Sequence, residues 1–123
     1  MKRITRQQEA IIQVLLKETH PLTAYEILNR SVKAVQSINL STIYRNLKYL
    51  LEKETIRRIE IPGDTPRYEI KDSQSYNYFL CDACMQVFRW HSKTNVPLES
   101  QLQGFLIKNY SVSVYGTCCD CKR

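Results

Sequence analysis

The sequence predicts an α+β fold in two parts: a winged helix-turn-helix over residues 1–72, then a small α/β domain over residues 73–123. Three observations predict it. The first half holds three short helical stretches with apolar residues on one stripe. A β-hairpin pattern follows them. Two Cys-x-x-Cys pairs, Cys81-Asp82-Ala83-Cys84 and Cys118-Cys119-Asp120-Cys121, bracket the second half.

The first helix is expected from Thr5, its N-cap, to Glu18, with Ile11, Ile12, Leu15 and Leu16 as its apolar stripe. His20-Pro21 ends it, because a residue before proline disfavours the helical region. The second helix starts near Thr23, where Thr23 and Glu26 have capping-box spacing, and runs to about Val35. The third runs from about Ser41 to Lys53. Ile43, Leu47, Leu50 and Leu51 form its apolar face, with Thr42, Arg45, Lys48 and Glu52 opposite and Tyr44 at the flank. Thr55 to Ile61 and Arg67 to Ile70 read as two strands around a Pro62-Gly63-Asp64-Thr65 turn, the wing. The polar run from Lys71 to Tyr76 marks the boundary. Beyond it the pattern is strand (Tyr78 to Leu80), cysteine knuckle, strand (Val87 to Trp90), helix (Leu98 to Phe105), strand (Ile107 to Tyr115) and a second knuckle.

The 18 Lys and Arg exceed the 12 Asp and Glu, for a net charge of +6. Residues 1–71 carry 13 against 8, and residues 72–123 carry 5 against 4, so the excess is N-terminal. A polyanionic partner would meet that half, although the same charge also serves solubility. No apolar run reaches membrane-spanning length and the N-terminus lacks a secretory pattern, so a cytoplasmic protein that meets no membrane is expected.

Five cysteines without an export signal point to metal rather than disulfides. Two residues between thiolates let one turn hold both sulfurs on one edge of a tetrahedron. Cys81, Cys84, Cys118 and Cys121 thus complete a closed shell for one structural Zn²⁺ per subunit. A thioredoxin-like redox role lacks its strand-then-helix setting, and a catalytic zinc would need an open position. A module of about 50 residues has a marginal core, which the metal would reinforce by tying its first strand to its last residues. Cys119 is left as a spare thiol.

At this point a family becomes recognisable. His20-Pro21-Leu22-Thr23-Ala24-Tyr25-Glu26-Ile27, Ser41-Thr42-Ile43-Tyr44-Arg45-Asn46-Leu47, Arg67-Tyr68-Glu69, Cys81-x-x-Cys84 and Tyr115-Gly116-x-Cys118-x-x-Cys121 resemble, in order and spacing, the ferric uptake regulator family. The resemblance implies a repressor-like transcription regulator, not an enzyme. Its winged helix would bind a double-stranded DNA operator and its C-terminal domain would form a homodimer. It also implies a second, regulatory metal between the domains, sensing iron, zinc, manganese or peroxide.

The chain departs from the family at that regulatory site. Tyr76 and Tyr78 stand where the family carries a His-x-His pair, Arg89 stands where it carries an acidic residue, and a histidine is missing near Asn109 and Tyr110. Only His20 and Glu69 match ligand positions, with His91 as a replacement candidate. The expectation is a degenerate site and DNA binding without a corepressor metal. Tyr76, Tyr78, Tyr110 and Tyr115 would fill the interface instead.

For DNA, the third helix offers Arg45 to guanine and Tyr44 to thymine methyls, with Thr42 and Lys48 for phosphates. Arg57, Arg58 and Arg67 on the wing, and Lys2, Arg3 and Arg6 near the N-terminus, would reach the backbone or minor groove. Three alternatives remain. They are a metal-responsive regulator with unfamiliar ligands, a zinc-ribbon module that binds RNA or protein, and, least supported, a zinc enzyme.

Overall fold

The computed structural model describes residues 4–72, 76–90, 101–107 and 112–122. The chain divides into two compact units, Met1–Ser73 and Gln74–Arg123.

In the first unit, helix α1 spans Arg6–Lys17, α2 spans Ala24–Ser31 and α3 spans Leu40–Glu52. The side chains of Thr5 and Thr23 accept the N–H groups of Gln8 and Glu26, and both capping boxes close reciprocally. Ile11 and Leu15 of α1, Ile27 of α2, and Ile43, Leu47 and Leu50 of α3 meet in one core with Ile56 and Tyr68. Leu16, expected on the buried stripe, is 57% exposed. It lies about 100° round the helix from Leu15, on the outer flank.

Helix α2 stops four residues before the expected Val35. Ala34 and Val35 both donate to the Ser31 carbonyl, at 3.0 and 2.9 Å, and this turn drops Val35 and Ile38 into the core. Asn39, not a residue nearer Ser41, caps α3, its Oδ1 accepting Thr42 N–H at 2.9 Å. At the other end Thr55 N–H donates to the Leu50 carbonyl and Glu54 N–H to the Leu51 carbonyl, each at 3.0 Å. Glu54 takes the left-handed conformation, φ 59°, that turns the chain out of the helix.

Strands β1 (Ile56–Ile59) and β2 (Arg67–Ile70) pair antiparallel, with Arg57 opposite Glu69 and Arg58 opposite Tyr68. Gly63, at φ 81°, supplies the conformation that the turn after Pro62 needs, closed by Asp64 N–H to the Ile61 carbonyl at 3.0 Å. The hairpin is tied back to the entry of α2. Leu22 and Tyr68 exchange backbone hydrogen bonds of 2.9 and 2.7 Å.

The second unit holds a three-stranded sheet of order β4-β3-β5, built from β3 (Asn77–Cys81), β4 (Val87–Trp90) and β5 (Ser113–Gly116). β3 runs antiparallel to β4 and parallel to β5. The expected helix from Leu98 to Phe105 is only partly within the described residues. Of these, Gln101 is helical and the chain then turns at 102–104, with Phe105 N–H donating to the Leu102 carbonyl at 3.1 Å and Gly104 at φ 83°. The last strand was expected to begin at Ile107, but Ile107 lies outside any strand and residues 108–111 fall outside the described set.

Candidate nucleic-acid interface and metal centre

The sheet register assembles the cysteines. Cys81 ends β3 beside Gly116 of β5, so Cys118 follows two residues after the neighbouring strand turns away. Asp82 N–H donates to the Gly116 carbonyl at 2.7 Å, and the Thr117 hydroxyl donates to Asp82 Oδ1 at 3.2 Å. These bonds lock the first knuckle to the chain that enters the second. Met85, left-handed at φ 62°, closes the first knuckle through its N–H to the Cys81 carbonyl at 2.9 Å.

The Sγ atoms of Cys81, Cys84, Cys118 and Cys121 lie within 4.8 Å of one another, and Cys84 and Cys118 are 4.0 Å apart. Sulfurs at the corners of a tetrahedron about 2.3 Å from a zinc ion would be about 3.8 Å apart, so the four sulfurs are grouped as that ion requires and a slight contraction would bring them to its bonding distance. The N–H groups of Cys84 and Cys118 both point at Cys81 Sγ, at 3.4 Å. They pull its thiol from an ordinary 9.0 down to about 6. Cys121 is pushed up to about 12, chiefly by its hydrogen bond to the Cys118 sulfur and then by burial. One thiolate thus forms readily and others resist, the condition that a divalent cation relieves. Cys119 is exposed and outside this group.

On α3, Tyr44, Arg45 and Lys48 are exposed on the side away from Ile43, Leu47 and Leu50. Thr42, expected beside them, is only 7% exposed. Its hydroxyl donates to Asn39 Oδ1 at 3.1 Å, so it serves the helix cap and not the solvent face. Arg58 is exposed and pairs with Glu60 at 2.6 Å. Burial raises the Tyr68 hydroxyl above its ordinary value. Arg58, Tyr44 and Glu60 also act on it, which puts the outer end of α3 and the hairpin in one locale.

Two wing arginines expected to reach DNA turn inward. Arg57 Nε lies 2.8 Å from Glu69 Oε2, with Asp72 at 3.5 Å. Arg67 is buried between Asp64 at 3.2 Å and Glu26 at 3.5 Å, clasping the hairpin to the first turn of α2. Strand register, invisible in the alternation of residues, sets Glu69 opposite Arg57, whereas the turn and the first turn of α2 supply Asp64 and Glu26 to Arg67. Arg6 is exposed, with one guanidinium nitrogen 3.5 Å from the Ala34 carbonyl. Arg3 and His91 lie outside the described residues.

Of the regulatory candidates, Glu69 is 4% exposed and held by Arg57. His20 is half-buried before Pro21. In the second unit the Arg89 guanidinium lies 4.5 Å over the Tyr76 ring, a cation–π contact. Tyr78 is buried and Tyr115 exposed, while Tyr110 is outside the described residues. Two residues that the sequence reading passed over join α1 to α3. Gln8 and Asn46 are buried and hydrogen-bonded to each other at 3.3 Å. The signal was there, since Asn46 falls three residues after Ile43 on the apolar stripe.

The model of the ferric uptake regulator family matches residues 1–115. The chain belongs to that family. A ferric uptake regulation protein of Brucella abortus is 32% identical over 92% of this chain and 82% of its own length. A peroxide-responsive repressor of Staphylococcus saprophyticus is 27% identical over 98% of this chain and 82% of its own. The solved Helicobacter pylori ferric uptake regulator has the same fold, with a TM-score of 0.80 at 21% identity, covering 100% of this chain and 83% of that one. A zinc uptake regulator in complex with zinc and DNA has a TM-score of 0.68 at 21% identity, covering 98% of this chain and 83% of that one. The family is one of transcription regulators rather than enzymes. No helix among the described residues is long and apolar enough to cross a membrane.

Proposed function

We propose that this member of the family is a cytoplasmic, homodimeric repressor that binds a double-stranded operator, carries one structural Zn²⁺ per subunit, and needs no corepressor metal. The observation that carries DNA binding is the exposed row Tyr44, Arg45 and Lys48 on a helix whose opposite face is fixed in the core. Arg45 would read guanine, Tyr44 would pack on thymine, and Lys48 would contact phosphate, with Arg58, Arg6 and Arg3 as further backbone contacts. The cage of Cys81, Cys84, Cys118 and Cys121 suits zinc by thiolate number and spacing. Dimerisation through the second unit is supported by β5. Its outer edge has no partner strand among the described residues, and Val114 and Tyr115 on it are exposed.

Independence from a second metal rests on two protein cations. Arg57 already neutralises Glu69, and Arg89 lies on Tyr76. The test is fluorescence anisotropy with a duplex enriched from a random pool, after labile metal is stripped and again after Fe²⁺, Mn²⁺ or Zn²⁺ is added. Affinity should stay within about twofold. A gain of about a hundredfold on metal addition, a large but ordinary coupling, would reject metal independence and favour a sensor built on His20, Glu69 and His91. Equal affinity for RNA would favour the zinc-ribbon alternative. Sedimentation equilibrium reads the dimer directly.

A further inference from the structure

The N-caps of α1 and α3 are the two ends of one hydrogen-bonded chain of side chains. Thr5 N–H donates to Gln8 Oε1 at 3.1 Å. Gln8 Nε2 donates to Asn46 Oδ1 at 3.3 Å. Asn46 Nδ2 donates to the Thr42 carbonyl at 2.9 Å and to Gln7 Oε1 at 3.4 Å. Thr42, through its N–H and hydroxyl, donates to the Asn39 cap at 2.9 and 3.1 Å. Gln8, Thr42 and Asn46 are all buried.

The chain has one sense. Thr5 N–H needs an acceptor, which turns Gln8 Oε1 toward it and Nε2 toward Asn46. Asn46 must then present Oδ1 to Gln8, leaving its Nδ2 for the Thr42 carbonyl. Flipping either amide sets donor against donor. Apolar contacts around Ile43, Leu47 and Leu50 decide which face of α3 is buried but, being non-directional, leave its fine rotation and slide loosely set. A buried directional link fixes them. A turn of only about 15° moves a side-chain tip roughly 6 Å from the helix axis by about 1.5 Å, enough to take Arg45 off a base edge.

We infer that the Gln8–Asn46 link is a specificity-determining positioning device: it sets the rotation of α3 and hence which bases Arg45 and Tyr44 meet. The inference rests on the DNA reading above. Neither amide touches DNA. They act through the two residues that precede Asn46.

The experiment separates positioning from stability. The double substitution Gln8→Leu with Asn46→Leu removes both buried amides together, so neither is left facing an unpaired partner; a further loss is the Gln8 half of the α1 capping box, which the thermal midpoint reads. Binding is measured to the enriched duplex and to an unrelated duplex, alongside the thermal midpoint. The expected result is a native-like midpoint with discrimination between the duplexes reduced on the order of tenfold, mostly through weaker binding to the enriched site. A native-like midpoint with unchanged discrimination overturns the inference. If two leucines disturb packing, Gln8→Met cuts the link from the α1 side, at a cost in stability because Asn46 Oδ1 and Thr5 N–H both lose a partner; discrimination measured where circular dichroism shows the variant folded then decides in the same two ways. Loss of discrimination in the unsubstituted protein would instead sink the DNA reading itself, and this inference with it.

Discussion

Arg57 and Glu69 face each other across the hairpin in register and close an ion pair of 2.8 Å, with the carboxylate almost wholly enclosed. A cation that would serve a phosphate if it pointed outward here neutralises a buried charge. Arg57→Ala should therefore act on stability before affinity. Removing the guanidinium takes the opposing charge from an enclosed carboxylate and should lower unfolding free energy by about 2–3 kcal/mol, less than for a fully enclosed pair because Arg57 keeps some contact with water. Urea denaturation checks this. An unchanged midpoint with a large loss of DNA affinity would restore Arg57 to the interface.

Arg45 and Lys48 should separate base reading from phosphate contact. Arg45→Ala should weaken binding to the enriched duplex by about 1–3 kcal/mol and relax its sequence preference. Lys48→Ala should weaken all duplexes alike and lower the salt slope by about one. Equal losses on enriched and random DNA for Arg45→Ala would refute the base contact.

Metal removal should melt the second unit alone. That unit has a small sheet whose first and last strands meet at the cysteine cage, whereas the first unit has its own core. Strong chelation should remove one zinc per chain and abolish near-ultraviolet signals from Trp90 and its neighbours, leaving most helical circular dichroism. Cys84→Ser should reproduce this, and Cys119→Ser should not.

The cage should also release metal on acidification. Bound metal requires deprotonated sulfurs, and the free cage takes protons back, so lower pH favours release. Cys81, held down to about 6, is the last thiolate to be reprotonated in the metal-free cage, and Cys121, near 12, holds its proton throughout the neutral range. Zinc affinity should fall steadily from neutral pH and most steeply below about pH 6, where protons also compete for Cys81. A metal-sensitive dye follows the release.

Glu54→Gly should stabilise the first unit. Glu54 occupies the left-handed position after α3, a conformation that opposes a Cβ but not glycine. Relief of that strain outweighs the loss of the exposed Lys71–Glu54 pair, for a net gain of about 0.5–1 kcal/mol in thermal denaturation.

Local spacing explains what could be read without coordinates. The Thr5 and Thr23 caps, the Ile43-Leu47-Leu50 face, the hairpin turn at Gly63 and the two cysteine knuckles are each written within a few residues, because the forces that make them act over a few residues. Their joint pattern is enough for fold class and family. The tertiary structure alone decided which of two adjacent arginines faces inward, that Thr42 turns to its own cap, and that Gln8 meets Asn46. Those outcomes depend on strand register and helix rotation, which join residues far apart in sequence through directional bonds. Composition carries no trace of direction.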